Sequence, residues 1–395
     1  MLKYILHSVF IAAALTWSVR ATAPELILPE EPVAPRPDAR MLDIVDSYDA
    51  FLQEAIERGE APGAAVAIVQ NGSVLLTKGY GVRSLHERQP VDDRTVFRIA
   101  SLSKSMAALL TGRLVEEELL HWNDPVISYL PDFRLRSQSQ TERLELRHLL
   151  SHSTGLPYHT YSNLIEKGES TLSIMQRLTE VKLIAKEGRV YAYQNAAFSL
   201  IGEVIQAATG NSYQANMQQK VFNPLHMADA SVTLEDFLAN PNVAKPHKYL
   251  RQGQWRELPP SPKYYNAAPA GGVNASAQDM AQYLLAMLGN RPDVLSEEIR
   301  TELATPVVST PIRNRYFRRW QGLRKSSYGL GWRIVELEDD TLLYHGGYVA
   351  GYRAEIAVSL RHSFGVCVLF NGGTGFASEA VPKFLELYRS GAPTL

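Results

Sequence analysis

The stretch ASLSKSMAALL, residues 100–110, crowds Ser101, Ser103 and Ser105 around one amine, Lys104, where a strand-like segment from Thr95 to Ile99 meets an apolar-periodic run. Serine is a favoured helix N-cap, so hydroxyls at such a junction read first as caps, with Lys104 a solvated first-turn residue. Spacing offers a second reading. Ser101 and Lys104 are three positions apart and share one face of a helix. A serine hydroxyl becomes a nucleophile when a neighbour takes its proton, and a desolvated lysine amine can be that neighbour. A helix start also aims free backbone N–H groups outward, which suits an oxyanion. Ser-x-x-Lys alone is a cheap match, and the rest of the chain has to choose between the readings.

On either side of this stretch the chain alternates strand and helix signals. A helical period over Leu42, Ile44, Val45, Tyr48, Phe51, Leu52 and Ile56 precedes two strand-like runs joined by Asn71-Gly72, a strong hairpin signal. Strand-like runs return at Gly331–Val335, Leu342–His345, Arg353–Leu360 and Phe364–Phe370, before a helix over Ala377–Tyr388. Between them the pattern is mostly helical, at Leu102–Leu120, Leu172–Ile184, Ala196–Thr209 and Ser276–Leu288, with Ser276 and Asp279 spaced as a capping box. The expected class is α/β in the α+β sense. One antiparallel sheet formed by both termini is flanked by helices and carries an inserted, mostly helical region. The sheet parts are expected over 41–100 and 300–390 and the helical part over 101–299, in one domain spanning 41–390.

The 395 residues carry a net charge of −1 and are 45% hydrophobic, an ordinary globular balance that gives no reason to expect nucleic acid as a partner. Lys3 followed by an apolar run to Val19, interrupted by His7, Ser8 and Ser18, reads as a signal peptide over residues 1–23, cleaved after Ala21 or Ala23. Export to the periplasm or the exterior is expected; a mitochondrial presequence and an uncleaved anchor are weaker alternatives. Residues 24–40 form a linker in which Pro24, Pro29, Pro32, Pro35 and Pro37 favour an extended spacer. Cys367 is the only cysteine, so no intramolecular disulfide forms, and its apolar surroundings suggest a buried thiol.

Other chemistries fit less well. The pattern G-x-S-x-G is absent, as are a phosphate-binding glycine loop and a dinucleotide fingerprint. His148 and His152 are spaced like zinc ligands, but Leu149 stands where a glutamate base belongs, so structural histidines are the expectation and no metal or organic cofactor is assigned. A Ser-Lys centre needs a proton relay and a strand edge that grips the substrate. Tyr-x-Asn occurs at Tyr161, Tyr193 and Tyr264; only Tyr193 and Asn195 sit on a turn just before a helix, after Gly188. The strand edge is supplied by His345-Gly346-Gly347, which could otherwise be a glycine turn between strands.

Taken in order, these motifs resemble the serine β-lactamase-related superfamily, in its branch of class C β-lactamases, DD-peptidases and esterases. The likeness runs from about Pro62 to about Glu386 and includes the stretches HLLSHSTGLP, PAGGVNASAQDM and YGLGW. The resemblance implies Ser101 as nucleophile, Lys104 as base and proton shuttle, and Tyr193 as proton relay. It implies Asn195 as a hydrogen-bond partner of Lys104 and of the substrate amide. His345-Gly346-Gly347 matches the strand motif that is Lys-Thr-Gly in class C β-lactamases, and the oxyanion hole would be the backbone N–H groups of Ser101 and Tyr348. Histidine in place of that lysine carries only part of a charge near neutral pH, which weakens the case for β-lactam hydrolysis. The implied activity is acyl transfer from an amide or peptide with a D-residue, or from an ester. A β-lactamase is the alternative, and a non-catalytic binding protein of the same fold is the rival from another class. Ser103 and Ser105 are expected in local hydrogen bonding and solvation. Arg313, Arg315, Arg318, Arg319, Arg324 and Lys325, with Tyr316, Phe317 and Trp320, form a basic loop over 313–325, read as a solvated surface or a contact with membrane or cell wall. Oligomeric state is left open.

Overall fold

Asn71 and Gly72 both adopt positive φ, 48° and 78°, the combination that a tight two-residue hairpin with matching strand twist requires. The hairpin belongs to a computed structural model that describes residues 38–251, 253–312 and 317–391. The expected signal peptide and nearly all of the expected linker, together with Arg313, Arg315 and Tyr316, lie outside the described residues.

The described strands are β1 Gly63–Gln70, β2 Ser73–Gly81, β3 Phe97–Arg98, β4 His247–Arg251, β5 Gln254–Glu257, β6 Asn274–Ala275, β7 Val308–Ser309, β8 Leu323–Tyr328, β9 Arg333–Leu337, β10 Thr341–Val349, β11 Tyr352–Ser359 and β12 Phe364–Phe370. An eight-stranded sheet runs in the order β2-β1-β12-β11-β10-β9-β8-β7. Its neighbours pair antiparallel, and β1 against β12 joins the N-terminal hairpin to the C-terminal strands. This is the closure by both ends of the chain that the pattern predicted.

Period-two alternation assigns each side chain to one of two cores. Ala64, Val66 and Ile68 of β1 pack with Val366, Val368 and Phe370 of β12 against helices Ala39–Glu57 and Ala377–Ser390. Ala65, Ala67, Val69, Cys367 and Leu369 face the opposite way, toward helices Ser103–Glu116 and Ala277–Met287. A sheet covered on both faces loses the polar half of its alternation, which is why β1 and β12 are buried throughout. Cys367 is buried, and desolvation pushes its thiol well up.

Helices, 3-10 turns and the loops that join them make up most of the chain between β3 and β7, with three short strands among them. Ser276 and Asp279 form the expected capping box. The expected helix over Leu172–Ile184 is shorter: it covers Thr171–Gln176, and a 3-10 turn follows at Arg177–Glu180. The strand expected to stop at His345 continues to Val349, so the two glycines lie inside β10 rather than in a turn.

Candidate active site

β3 delivers the chain to Ala100, whose φ of 51° is a left-handed conformation for a residue with a β-carbon. Such a conformation costs about 1–2 kcal/mol and is a recurrent feature of functional turns. A 3-10 turn, Ala100–Leu102, carries Ser101 and runs into helix Ser103–Glu116. No side chain caps that helix: the position before it is Leu102. Ser103 Oγ donates to Ala100 O at 2.6 Å and accepts from Val273 N at 3.0 Å, and Ser105 Oγ donates to Leu102 O at 2.8 Å. Both serines are buried, which keeps the expected local bonding and removes the expected solvation. Ser101 alone of the three retains partial exposure.

Lys104, in the first turn, is fully buried rather than solvated. Its Nζ lies 3.4 Å from Ser101 Oγ, 2.8 Å from Asn195 Oδ1 and 2.7 Å from Ala270 O. Burial, and after it the Arg333 charge, holds the amine well below the ordinary lysine value. A neutral amine has two N–H donors and one lone pair. In the free-base form Asn195 Oδ1 and Ala270 O take those donors and the lone pair meets the serine hydroxyl, whereas in the ammonium form the third N–H donates to Ser101 Oγ.

Tyr193 precedes helix Asn195–Thr209 and donates its hydroxyl to Ser101 Oγ at 2.9 Å. Its ring stands 4.8 Å from Lys104 Nζ. The other two Tyr-x-Asn matches separate in space. Tyr161 donates to Arg177 O at 3.1 Å, whereas Tyr264, from the proline-rich loop, accepts from Asn195 Nδ2 at 3.2 Å. Tyr264 is thus a member of the site that its sequence context did not single out.

β10 pairs with β9 only from Thr341 to Tyr344, and beyond that point it runs against the Ala100–Leu102 turn. A β-carbon at position 347 would lie 2.6 Å from Ile99 O and 3.0 Å from Ser101 N, so this crossing requires Gly347. Gly346 lies opposite Glu355 of β11. Tyr348 is 63% exposed at the end of the strand.

His345 differs from expectation. It is 1% exposed, and burial, then Arg333 and Lys104, pushes its imidazole well below the ordinary histidine value. Its Nδ1 stands 3.0 Å from Gly346 O, which can only accept, so Nδ1 carries the proton. Nε2 then accepts from Tyr328 Oη at 2.9 Å. Burial therefore works against the charged form of the residue.

The fixed cation behind the site is Arg333 on β9, which the sequence did not announce although it directly follows YGLGW. Its guanidinium lies 5.7 to 5.9 Å from the ring centres of Tyr191, Tyr193 and Tyr328. The two zinc-spaced histidines have separate duties. His148 Nδ1 accepts from Glu145 N in a capping box, and His152 Nδ1 accepts from Gln194 N while its ring packs 4.2 Å from that of Tyr193. No cluster of three metal-ligating side chains occurs among the described residues.

Three cations in the described part of the basic loop pair with acids from elsewhere in the chain. Arg319 pairs with Glu379 at 2.6 Å, Lys325 with Glu336 at 3.0 Å and Arg324 with Glu338 at 3.8 Å, while Phe317 and Trp320 turn into the core.

A two-sided antiparallel sheet with a serine, a buried lysine and a tyrosine gathered at a helix start is the architecture of penicillin-binding-protein-like serine hydrolases. A sequence profile of the Beta-lactamase family matches residues 48–387, and the chain belongs to that family. It is 26% identical over 351 residues to Protein flp of Staphylococcus aureus (strain MRSA252), covering 87% of this chain and 65% of that protein. It therefore spans slightly less than two thirds of the length of that relative. Over 341 residues it is 26% identical to Unguisins hydrolase ungD' of Aspergillus campestris, covering 84% of this chain and 62% of the relative. The solved structure of the octameric penicillin-binding protein homologue from Pyrococcus abyssi superposes with a TM-score of 0.78 at 26% identity, over 88% of this chain and 78% of that one.

Proposed function

We propose that the protein is an exported serine acyl-hydrolase that forms an acyl-enzyme on Ser101. The observation that carries the reading is the placement of the buried Lys104 amine 3.4 Å from Ser101 Oγ, held there by Asn195 Oδ1 at 2.8 Å and Ala270 O at 2.7 Å, where burial favours its free-base form. Lys104 takes the serine proton as Oγ attacks the substrate carbonyl carbon. The oxyanion is received by the backbone N–H groups of Ser101 and Tyr348. Tyr193 gives its proton to the leaving nitrogen or oxygen as that bond breaks, and is reprotonated by the Lys104 ammonium. Water then attacks the ester, losing its proton to the same pair, and releases the acid and free Ser101.

The substrate is an amide or peptide with a D-residue, of the cell-wall type, or a small ester, held through Asn195 and along β10. A neutral, buried His345 offers no charge to a substrate carboxylate, which favours this reading over β-lactam hydrolysis. A β-lactam would then acylate Ser101 and leave slowly. The names of two similar proteins, a penicillin-binding protein homologue and a hydrolase named for unguisins, support the acyl-hydrolase reading. Peripheral contact of the 313–325 loop with a membrane or wall belongs to the same proposal, and neutralising its arginines tests it by vesicle or wall binding.

The test is intact mass of the protein and of Ser101→Ala, followed in time with a penicillin and with a short activated ester. A serine-dependent penicilloyl adduct that persists, or ester turnover, is the expected result. Rapid penicillin hydrolysis would assign a β-lactamase instead. Neither adduct nor turnover would shift the assignment to a non-catalytic binding protein.

A further inference from the structure

The lone pair of Lys104 faces Ser101 only while Asn195 turns its oxygen, and not its nitrogen, toward the amine. The two ends of a carboxamide have nearly the same shape, so packing does not choose between them and the partner on the far side does. On that side Asn195 Nδ2 donates to Tyr264 Oη at 3.2 Å. The phenol stays protonated through burial and then through the nearby Glu166 carboxylate, which is itself paired with Lys263 at 3.0 Å. With a carboxylate to attract its proton, the hydroxyl meets Asn195 as an acceptor.

We propose that Tyr264 is a positioning residue for the Lys104 base: accepting from Asn195 Nδ2, it holds Asn195 Oδ1 against the amine and so aims the amine's lone pair at Ser101 Oγ. It touches no reacting atom, and the inference rests on the reading of Ser101 and Lys104 given above. Without the hydroxyl, Asn195 is free to turn Nδ2–H toward the lone pair. The amine is then neutral over a wider range, because an acceptor that favoured the ammonium has been exchanged for a donor that favours the free base. It is also turned away from the serine.

The titratable and charged groups around Lys104 come from every element packed on it. They are Tyr193 from the loop before the Asn195–Thr209 helix, His152 and His159 from the loop after helix Leu146–Leu150, Arg333 from β9 and His345 from β10. None of these changes in the variants below.

The experiment is the rate of Ser101 phosphonylation by a fluorophosphonate across pH, read by intact mass. The Oγ–P bond forms, fluoride leaves, and the serine proton passes to Lys104. Y264F is expected to slow the reaction about tenfold, the effect of one orienting hydrogen bond, and to move the acid limb of the profile to lower pH. A merely structural loss would lower the rate and leave the limb in place. E166A, at a half-exposed position that folding tolerates, is expected to shift the limb in the same direction by less. Y265F removes a 2.7 Å bond to Asn274 in the same loop and is expected to keep the wild-type profile. An unmoved limb in Y264F, or in E166A if Y264F does not fold, overturns the inference. A wild-type protein that the fluorophosphonate leaves unlabelled overturns the reading of Ser101 as well.

Discussion

The Tyr193 hydroxyl lies 2.9 Å from Ser101 Oγ across 92 positions of sequence and donates to that oxygen, which also stands 3.4 Å from the buried Lys104 amine. That direction of donation makes Tyr193 the acid toward the leaving group rather than the first base. Tyr193→Phe is therefore expected to slow amide cleavage by about 10²–10⁴-fold, the usual range for losing a positioned proton donor. An activated ester, whose leaving group needs no proton, is expected to lose far less. Comparing kcat/KM for an amide and an ester of the same acyl group checks this, and equal losses would contradict it.

Lys104→Met replaces the amine with a side chain of similar volume and no lone pair. Acylation of Ser101 is expected to fall by about 10³-fold. In the wild-type protein the rate rises with pH as Lys104 loses its proton, and burial places that limb well below the ordinary lysine range. The residual reaction of the methionine variant is expected to lack the limb. A profile of unchanged shape would remove Lys104 from the role of base.

His345 connects the site to stability. Because burial lowers its folded-state value, the folded protein binds fewer protons there than the unfolded chain does below about pH 6.5. Its contribution to stability is present above that pH and is lost as the pH falls toward the folded-state value. His345→Gln, which keeps an acceptor for Tyr328, is expected to flatten the acid decline by up to about 1.4 kcal/mol per pH unit. Urea midpoints above and below about pH 6.5 measure the difference; parallel declines in both proteins would show a charged His345.

Gly347→Ala sets a β-carbon 2.6 Å from Ile99 O, a backbone atom with nowhere to retreat. Overpacking of this kind costs about 1–3 kcal/mol, and here the strand and the Ser101 turn must separate to relieve it. Acylation is expected to drop by at least about tenfold with the protein still folded, since a 1 Å misplacement at a reacting centre is costly. Thermal unfolding together with labelling rate checks it; a variant with unchanged labelling would show that β10 does not position the serine.

Where the sequence was read correctly, the signal was local. The Asn71-Gly72 turn, the Ser276–Asp279 cap and the helical period of the first helix depend on a few neighbouring residues, and the structure forms them where expected. The order of Ser-x-x-Lys, Tyr-x-Asn and His-Gly-Gly along the chain identified the candidate site and the class of fold. Tyr264 gives no local signal, because what brings it to the site is a hydrogen bond with Asn195, 69 positions away, and not the proline-rich loop that holds it. Arg333 gave no spacing signal at all, because its effect on Lys104 and His345 is exerted through space from a neighbouring strand.

The sequence by itself determined which elements form, how both ends share one sheet, and which hydroxyl, amine and phenol are brought into one list of candidates. Tertiary structure decided their states. Ser103 and Ser105 became buried struts, His345 was buried against Tyr328, and Lys104 lost its solvent to Asn195 and Ala270, 91 and 166 positions away. Periodicity and capping act over one or two turns and leave a mark in the sequence. Desolvation and charge act between groups that only the folded chain makes neighbours, and these set whether an amine is a solvated cation or a base.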